Sequence, residues 1–401
     1  MFDRERTRML AVASAALLLS VLVWFNYSAV LPLVVADWGL SGTRAGIVFG
    51  AFQAGYLLAI VPAGVLVDRH SPRYVIAAGA TVAGLLSLGF ALLADGFLAG
   101  TLLRFVAGTG MAGVYVPGMR FVTDWYGTAD RGTAMGLYVG TFSLGSGLSF
   151  LLASSIAAAI GWRVAIGATS VGALLVAPLI LGVGRDAPGT DTRTSDGFDL
   201  DVLRNRAYLA AVGVYAWHNW ELFGVRNWLV AFLVATAAVG GLGTPEAVAG
   251  VLAGVMIMLG GVGNALGGTL SDRIGRTTVI AIALVCSGLV SAVIGVLGGL
   301  PLPVLLVVVL VWGVALTMDS APTSTAITEI VNDERVGTAL SIQSFIGFTT
   351  TVVSPIVFGA ALDLGGFALA FPTLAAGALV ALGSLAVLRY AEKRRSVERS
   401  V

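Results

Sequence analysis

Gly64 to Arg73 reads GVLVDRHSPR, an apolar helical run that breaks into an Asp-Arg turn, and Gly268 to Arg276 reads GTLSDRIGR. The second Gly-x-x-x-Asp-Arg lies 204 residues after the first, about half the length of the chain. A further pair of stretches supports the same duplication. YVPGMRFVTDWY (Tyr115 to Tyr126) lies over SAPTSTAITEIV (Ser320 to Val331) at an offset of 205 residues, with Pro117 over Pro322 and Asp124 over Glu329. The chain therefore reads as two related halves.

Composition names the solvent. Of 401 residues 57% are hydrophobic and 11% charged, the mean hydropathy is +0.94 and Gly reaches 53, the balance of a membrane protein. A span needs about 20 apolar residues. Twelve such segments are expected, near 9–36, 43–66, 74–94, 97–122, 132–160, 163–184, 207–236, 247–270, 277–298, 302–328, 337–361 and 367–389. The fold class is thus all-α and polytopic. The first segment follows Arg4, Arg6 and Arg8, but it runs past Val35 and carries Asn26 and Tyr27, too long for a signal-peptide core. Of 23 basic residues, 19 fall in the two tails or in even-numbered loops. The positive-inside rule then places both termini in the cytoplasm, in the plasma membrane. Cys286 is the only cysteine, which excludes an intramolecular disulfide or a cysteine-built metal site. No basic stripe suggests nucleic acid.

The one long polar stretch, Gly182 to Arg206, reads as a linker, giving a six-helix bundle over 1–184, a connection over 185–206 and a second bundle over 207–401. Short loops elsewhere make sequential helices antiparallel neighbours. Parallel repeats of this kind belong to transporters that carry their site between the halves.

The duplicated Gly-x-x-x-Asp-Arg turns between spans 2 and 3 and spans 8 and 9, together with Arg104 in LLRFVAGTGMAG, DRGTAMG (Asp130 to Gly136) and GWR (Gly161 to Arg163), resemble the major facilitator superfamily over essentially the whole chain. The resemblance implies that spans 1, 4, 7 and 10 line a cavity and spans 2, 5, 8 and 11 form the seam between halves. Two departures stand out. Ser71-Pro72 replaces the usual Gly, and span 5 reads GTFSLGSGLS without the Gly-Pro motif of drug-proton antiporters.

Ionisable residues inside spans are costly and therefore functional candidates. Span 7 carries His218 and Glu221 on one face near the expected membrane middle, and Arg104 on span 4 reaches a similar depth. Desolvation and a neighbouring cation act on a carboxylate in opposite senses, a balance suited to loading and releasing a proton. The competing reading is a static Glu221–Arg104 pair. Substrate contacts are expected from Arg104, Glu221, His218, Asn26, Tyr115 and Trp217, although packing is the simpler role for each Trp. Proton coupling is assigned to Glu221, His218 and Asp319, the last matched by Val114 in the first repeat and so not demanded by the shared fold. Arg226 reads as an outer-end anchor that snorkels toward headgroups. The turns supply gating candidates, Asp68, Arg69, Arg73, Asp272, Arg273 and Arg276, able to bridge to the opposite half or to helix C-termini.

No phosphate loop, HExxH or nucleophile elbow is present, which disfavours an ATP-driven pump or a hydrolase. The expectation is a monomeric, cofactor-free secondary transporter of a small polar or anionic organic solute, coupled to H⁺. Its rivals are proton-coupled export of lipophilic compounds and a membrane sensor on the same fold.

Overall fold

The computed structural model describes residues 2–188, 200–331 and 336–400, and among them no strand occurs. The first half holds α1 (Phe2–Ala29), α2 (Leu31–Trp38), α3 (Gly42–Arg69), α4 (Pro72–Leu93), α5 (Phe97–Trp125), α6 (Thr128–Ile160), α7 (Trp162–Leu174) and α8 (Val176–Gly182). The second holds α9 (Arg206–Ala235), α10 (Ala237–Gly240), α11 (Pro245–Ile274), α12 (Arg276–Val293), α13 (Leu302–Ala315), α14 (Ser320–Ile330) and α15 (Val336–Ser400). Within the connection expected at 185–206, residues 189–199 lie outside the described residues, as does Arg335.

Ten stretches among the described residues are long and apolar enough to cross a membrane. Their outward faces carry large apolar side chains, among them Leu92, Leu93, Leu98, Leu289 and Leu379, each more than 60% exposed. Such a surface suits hydrocarbon and would be unfavourable in water. α9 is not among the ten, because His218, Asn219, Glu221, Arg226 and Asn227 lower its hydropathy.

Proline and glycine explain the breaks. Pro32 has no N–H to continue the ladder of α1, so the chain ends one helix at Ala29 and begins the next at Leu31. Likewise Pro322 denies a donor to the carbonyl of Met318, and residues 316–319 form a turn between α13 and α14. Gly366, at φ 64°, kinks α15 into arms 336–364 and 367–400, since glycine alone enters that region without strain.

α5 packs on α3 and α4, and α1 on α6 and α7; in the second half α9 and α12 lie along α15. The two halves meet along α3 with α15 and α6 with α11. Contact along this seam is uneven. At the end away from the termini the backbones touch: a Cβ on Gly46 would strike the Pro355 carbonyl, and one on Gly254 the Gly147 carbonyl. Farther along, Gln53 Nε2 donates to Thr351 Oγ1 at 3.3 Å and Tyr56 packs on Phe348 at 5.0 Å. Beyond that level the same helices part: among the described residues no atom of a facing helix lies within 4 Å of the Cβ position on Gly64, Gly136, Gly140 or Gly261. The bundles are thus closed at the far end and splayed at the end that carries the termini.

Candidate functional site

Arg104 on α5 is 1% exposed and is held by α1. Its Nη1 donates to Val23 O at 3.0 Å and Asn26 Oδ1 at 3.3 Å, and Nη2 to Trp24 O at 3.2 Å, while the guanidinium lies 4.3 Å from the Phe52 ring. Asn26 in turn donates to Ser87 Oγ and Thr169 Oγ1, tying α1 to α4 and α7. Both residues thus make these hydrogen bonds inside the first bundle. Tyr115, half-buried, stacks on Tyr138 at 6.3 Å and meets Phe142 edge-on at 5.5 Å.

Glu221 turns away from the first half. Its carboxylate accepts from Ser291 Oγ at 2.6 Å and Ser287 Oγ at 3.0 Å, both on α12. Arg104 and Glu221 therefore hold separate partners and do not form the pair considered from sequence, because equal depth along two helices does not fix the direction in which side chains point. Trp217 packs beside Trp220, whose Nε1 donates to Thr373 O on the second arm of α15. This is the side of α9 that faces its own bundle.

His218 and Asp319 do meet. His218 Nδ1 lies 2.9 Å from Asp319 Oδ1, and the other ring nitrogen, Nε2, is 3.1 Å from Ser320 Oγ. Both side chains are at least 95% buried. Asp319 occupies the turn between α13 and α14, and neither of its oxygens meets a donor at a hydrogen-bonding angle.

Arg226 corrects the reading as an outer anchor. It lies nine residues inside the end of α9, about 13 Å along the helix, and is 6% exposed. Its guanidinium sits 5.5 Å from the ring of Phe25 in the first half and 5.8 Å from Phe223 in the second, so it is wedged in the seam. Among the described residues neither Arg226 nor Arg104 enters an ion pair, and Nε of each lacks a partner. With Leu222, Met256, Gly260 and Thr317, Arg226 lines a cavity of about 10 Å³, room for about one water. One residue on, Asn227 accepts from Ser28 Oγ across the seam at 3.1 Å.

The paired turns lie at the splayed end, and among the described residues their ion pairs stay within each half. Arg120 is 3.5 Å from Asp68 and 2.9 Å from Asp124; Arg73 binds Asp186 at 2.8 Å and Gly184 O at 3.0 Å. In the second half Arg276 binds Asp272 at 2.6 Å and Glu329 at 2.9 Å. Arg69 and Arg273 are exposed in the last turns of α3 and α11, beside the carbonyl ends of those helices. Among the described residues no ion pair joins Asp68, Arg69, Arg73, Asp272, Arg273 or Arg276 to the opposite half, so the bridges anticipated from sequence are not made here.

Comparison with known proteins agrees with this architecture. The chain is 25% identical to the hexuronate transporter of Bacillus subtilis (strain 168), over 97% of this chain and 96% of that one. It is 28% identical to the probable sulfoacetate transporter SauU of Cupriavidus necator, over 63% and 62%. A solved bacterial homolog of the human lysosomal transporter Spinster, inward-facing and occupied, superposes with a TM-score of 0.78 at 17% identity, covering 97% of each chain. The family description of the Major Facilitator Superfamily matches residues 13–244 and 222–400. The chain belongs to the Major Facilitator Superfamily and is a multi-pass membrane transporter, not an enzyme.

Proposed function

We propose that this transporter carries a small anionic organic solute, of the size of a sugar acid, across the plasma membrane by alternating access, coupled to protons. The observation that carries the reading is Arg226. A guanidinium buried in the seam between two halves, with ring faces for neighbours and no carboxylate, is a cation left for a ligand to neutralise. Planar two-pronged donors fit carboxylate, sulfonate and phosphate groups alike. The hexuronate and sulfoacetate carriers to which the chain is similar are named for anions of this class.

Twelve crossings follow when α9 and the two arms of α15 are counted with the other spans. With both termini cytoplasmic, the splayed end faces the cytoplasm and the state is inward-open. Arg104 then acts as the clamp that shapes α1 beside the site, and the paired turns around Asp68 and Asp272 act as the gate of the cytoplasmic end.

The test is ligand-induced thermal stabilisation of the purified protein with D-glucuronate, sulfoacetate and D-glucose. The acids raise the melting temperature and glucose does not. Arg226→Ala removes charge-assisted contacts of about 1.5–3 kcal/mol, weakening the acids tenfold or more. Arg226→Lys keeps the charge but loses the fork and falls between. Equal response to glucose, or an unchanged response in Arg226→Ala, overturns the assignment.

A further inference from the structure

We infer that the coupling proton resides on the buried His218–Asp319 pair, and that it is tied to the anion site by charge balance through the turn that joins α13 to α14. This deepens the transport reading above and rests on it. The geometry has three parts. His218 Nδ1 and Asp319 Oδ1 are in contact at 2.9 Å, buried from solvent. Asp319 sits in the turn 316–319, where the regular α-helical ladder gives way to tighter bonds such as Thr317 N to Val314 O and Met318 N to Ala315 O. The same turn supplies Leu316 and Thr317 to the cavity beside Arg226. One four-residue segment therefore carries Asp319 of the proton pair and lines the cavity that Arg226 also lines.

Charge counting gives the coupling. Without a proton the pair is a neutral imidazole and a carboxylate, net −1; with one it is imidazolium and carboxylate, net zero. Arg226 is +1 when empty and net zero with a monoanion bound. The empty carrier and the carrier with both proton and anion are each neutral over the two sites. Either ligand alone leaves a net buried charge. Since unbalanced charge in the membrane interior is strongly disfavoured, the two neutral states rearrange and the singly loaded ones stall. That is symport of one proton with one monoanion.

Among the surroundings, Glu221 is the charged group that interacts with both members of the pair. On α9 the other ionisable groups near His218 are Tyr215, ring to ring at 6.4 Å, and Glu221. Glu221 has its own serine donors on α12, Ser287 and Ser291. α11 carries ionisable side chains only at its ends, Glu246, Asp272 and Arg273; α14 carries Glu329 near its end and α13 none. On α12 they are Arg276 at the start and the exposed Cys286, and on α15 the nearest in sequence to the packed region are Asp363 and Arg389. From the first half, α1 contributes Tyr27, bonded to Ala45 O, and charged groups near its start, and α2 contributes Asp37.

The chain has two histidines, so ¹⁵N-histidine labelling with His70→Gln leaves one reporter and needs no substrate. The His218 ring nitrogens show a one-proton step as pH is varied, and Asp319→Asn moves that step or removes it. Absence of a step, or a step indifferent to Asp319→Asn, overturns the proton site. In proteoliposomes with D-glucuronate the parent exchanges label at equal pH and accumulates it under a pH jump, up to about tenfold per pH unit for one proton per monoanion. Asp319→Asn and His218→Gln keep exchange and lose accumulation. Failure of exchange in the parent counts against the substrate reading alone. Exchange with undiminished accumulation in both variants overturns the coupling.

Discussion

Asp363, on the first arm of α15, caps the start of α3 in the opposite half at Thr43. Its Oδ2 accepts from Thr43 N at 2.9 Å and Thr43 Oγ1 at 2.7 Å, and its Oδ1 accepts from Gly42 N. The first amides of a helix have no partner within it, and the helix dipole favours an anion there. Here the cap comes from a residue 320 positions away. It latches the two halves together at the far end, where the glycines of α3 and α15 already bring backbone against backbone.

Removing that latch shifts the conformational balance. Asp363→Ala leaves the Gly42 and Thr43 amides to water while Ser41 still accepts from Arg44 N, and loss of a capping contact costs about 0.5–2 kcal/mol. If the far end opens elsewhere in the cycle, the population closed at that end falls relative to the other by about two- to thirtyfold. Distances between spin labels placed on α3 and α15 near the far end, in a Cys286→Ser background, measure it. Identical distance distributions in parent and variant would show that the latch carries no weight.

The halves, the bundles and the seam were legible in the duplicated turns and in the spacing of apolar segments. Asp68 and Asp272 mark the same place in two repeats, and that fixes the architecture. Side-chain azimuth was not legible. Counting along span 7 gave Arg226 a depth near the surface, but the burial of Arg226 depends on Phe25, some 200 residues earlier in the chain. For the same reason Glu221 and Arg104 matched in depth and not in direction. His218 with Asp319 had a weak signal, since Pro322 and a lone carboxylate in an apolar span announce a break at which a side chain from a facing helix is needed. Asp363 had none, for a capping carboxylate drawn from the other half leaves no local pattern.

Glu221 distinguishes a structural carboxylate from a transporting one. Its two serine donors bind α9 to α12 and satisfy both oxygens. Glu221→Gln keeps the shape and offers one acceptor, so gradient-driven accumulation stays within about twofold of the parent. Glu221→Leu strands two buried hydroxyls, each costing about 1–3 kcal/mol, and lowers the melting temperature. If Glu221→Gln exchanges substrate but no longer concentrates it, Glu221 carries the proton and its structural reading falls.

The turns at the splayed end give the last prediction. In the present state Asp68 pairs with Arg120 and Asp272 with Arg276, each inside its own half, which leaves these charges to be rearranged when the end closes. Half-exposed pairs of this kind are weak, so Asn at either position leaves folding and yield unchanged. What changes is the rate of passage between states, because the carboxylate is no longer available to the facing half. Asp68→Asn and Asp272→Asn each slow transport by about two- to fivefold, the scale of a single half-exposed ion pair. If Asp68 acts through Arg120, adding Arg120→Gln to Asp68→Asn slows transport no further, since the two substitutions remove one interaction. Initial rates of substrate exchange in proteoliposomes, normalised to reconstituted protein, provide the measure. Parental rates in both single variants would remove the gate from these turns and leave them the simpler task of anchoring the loops on the cytoplasmic side.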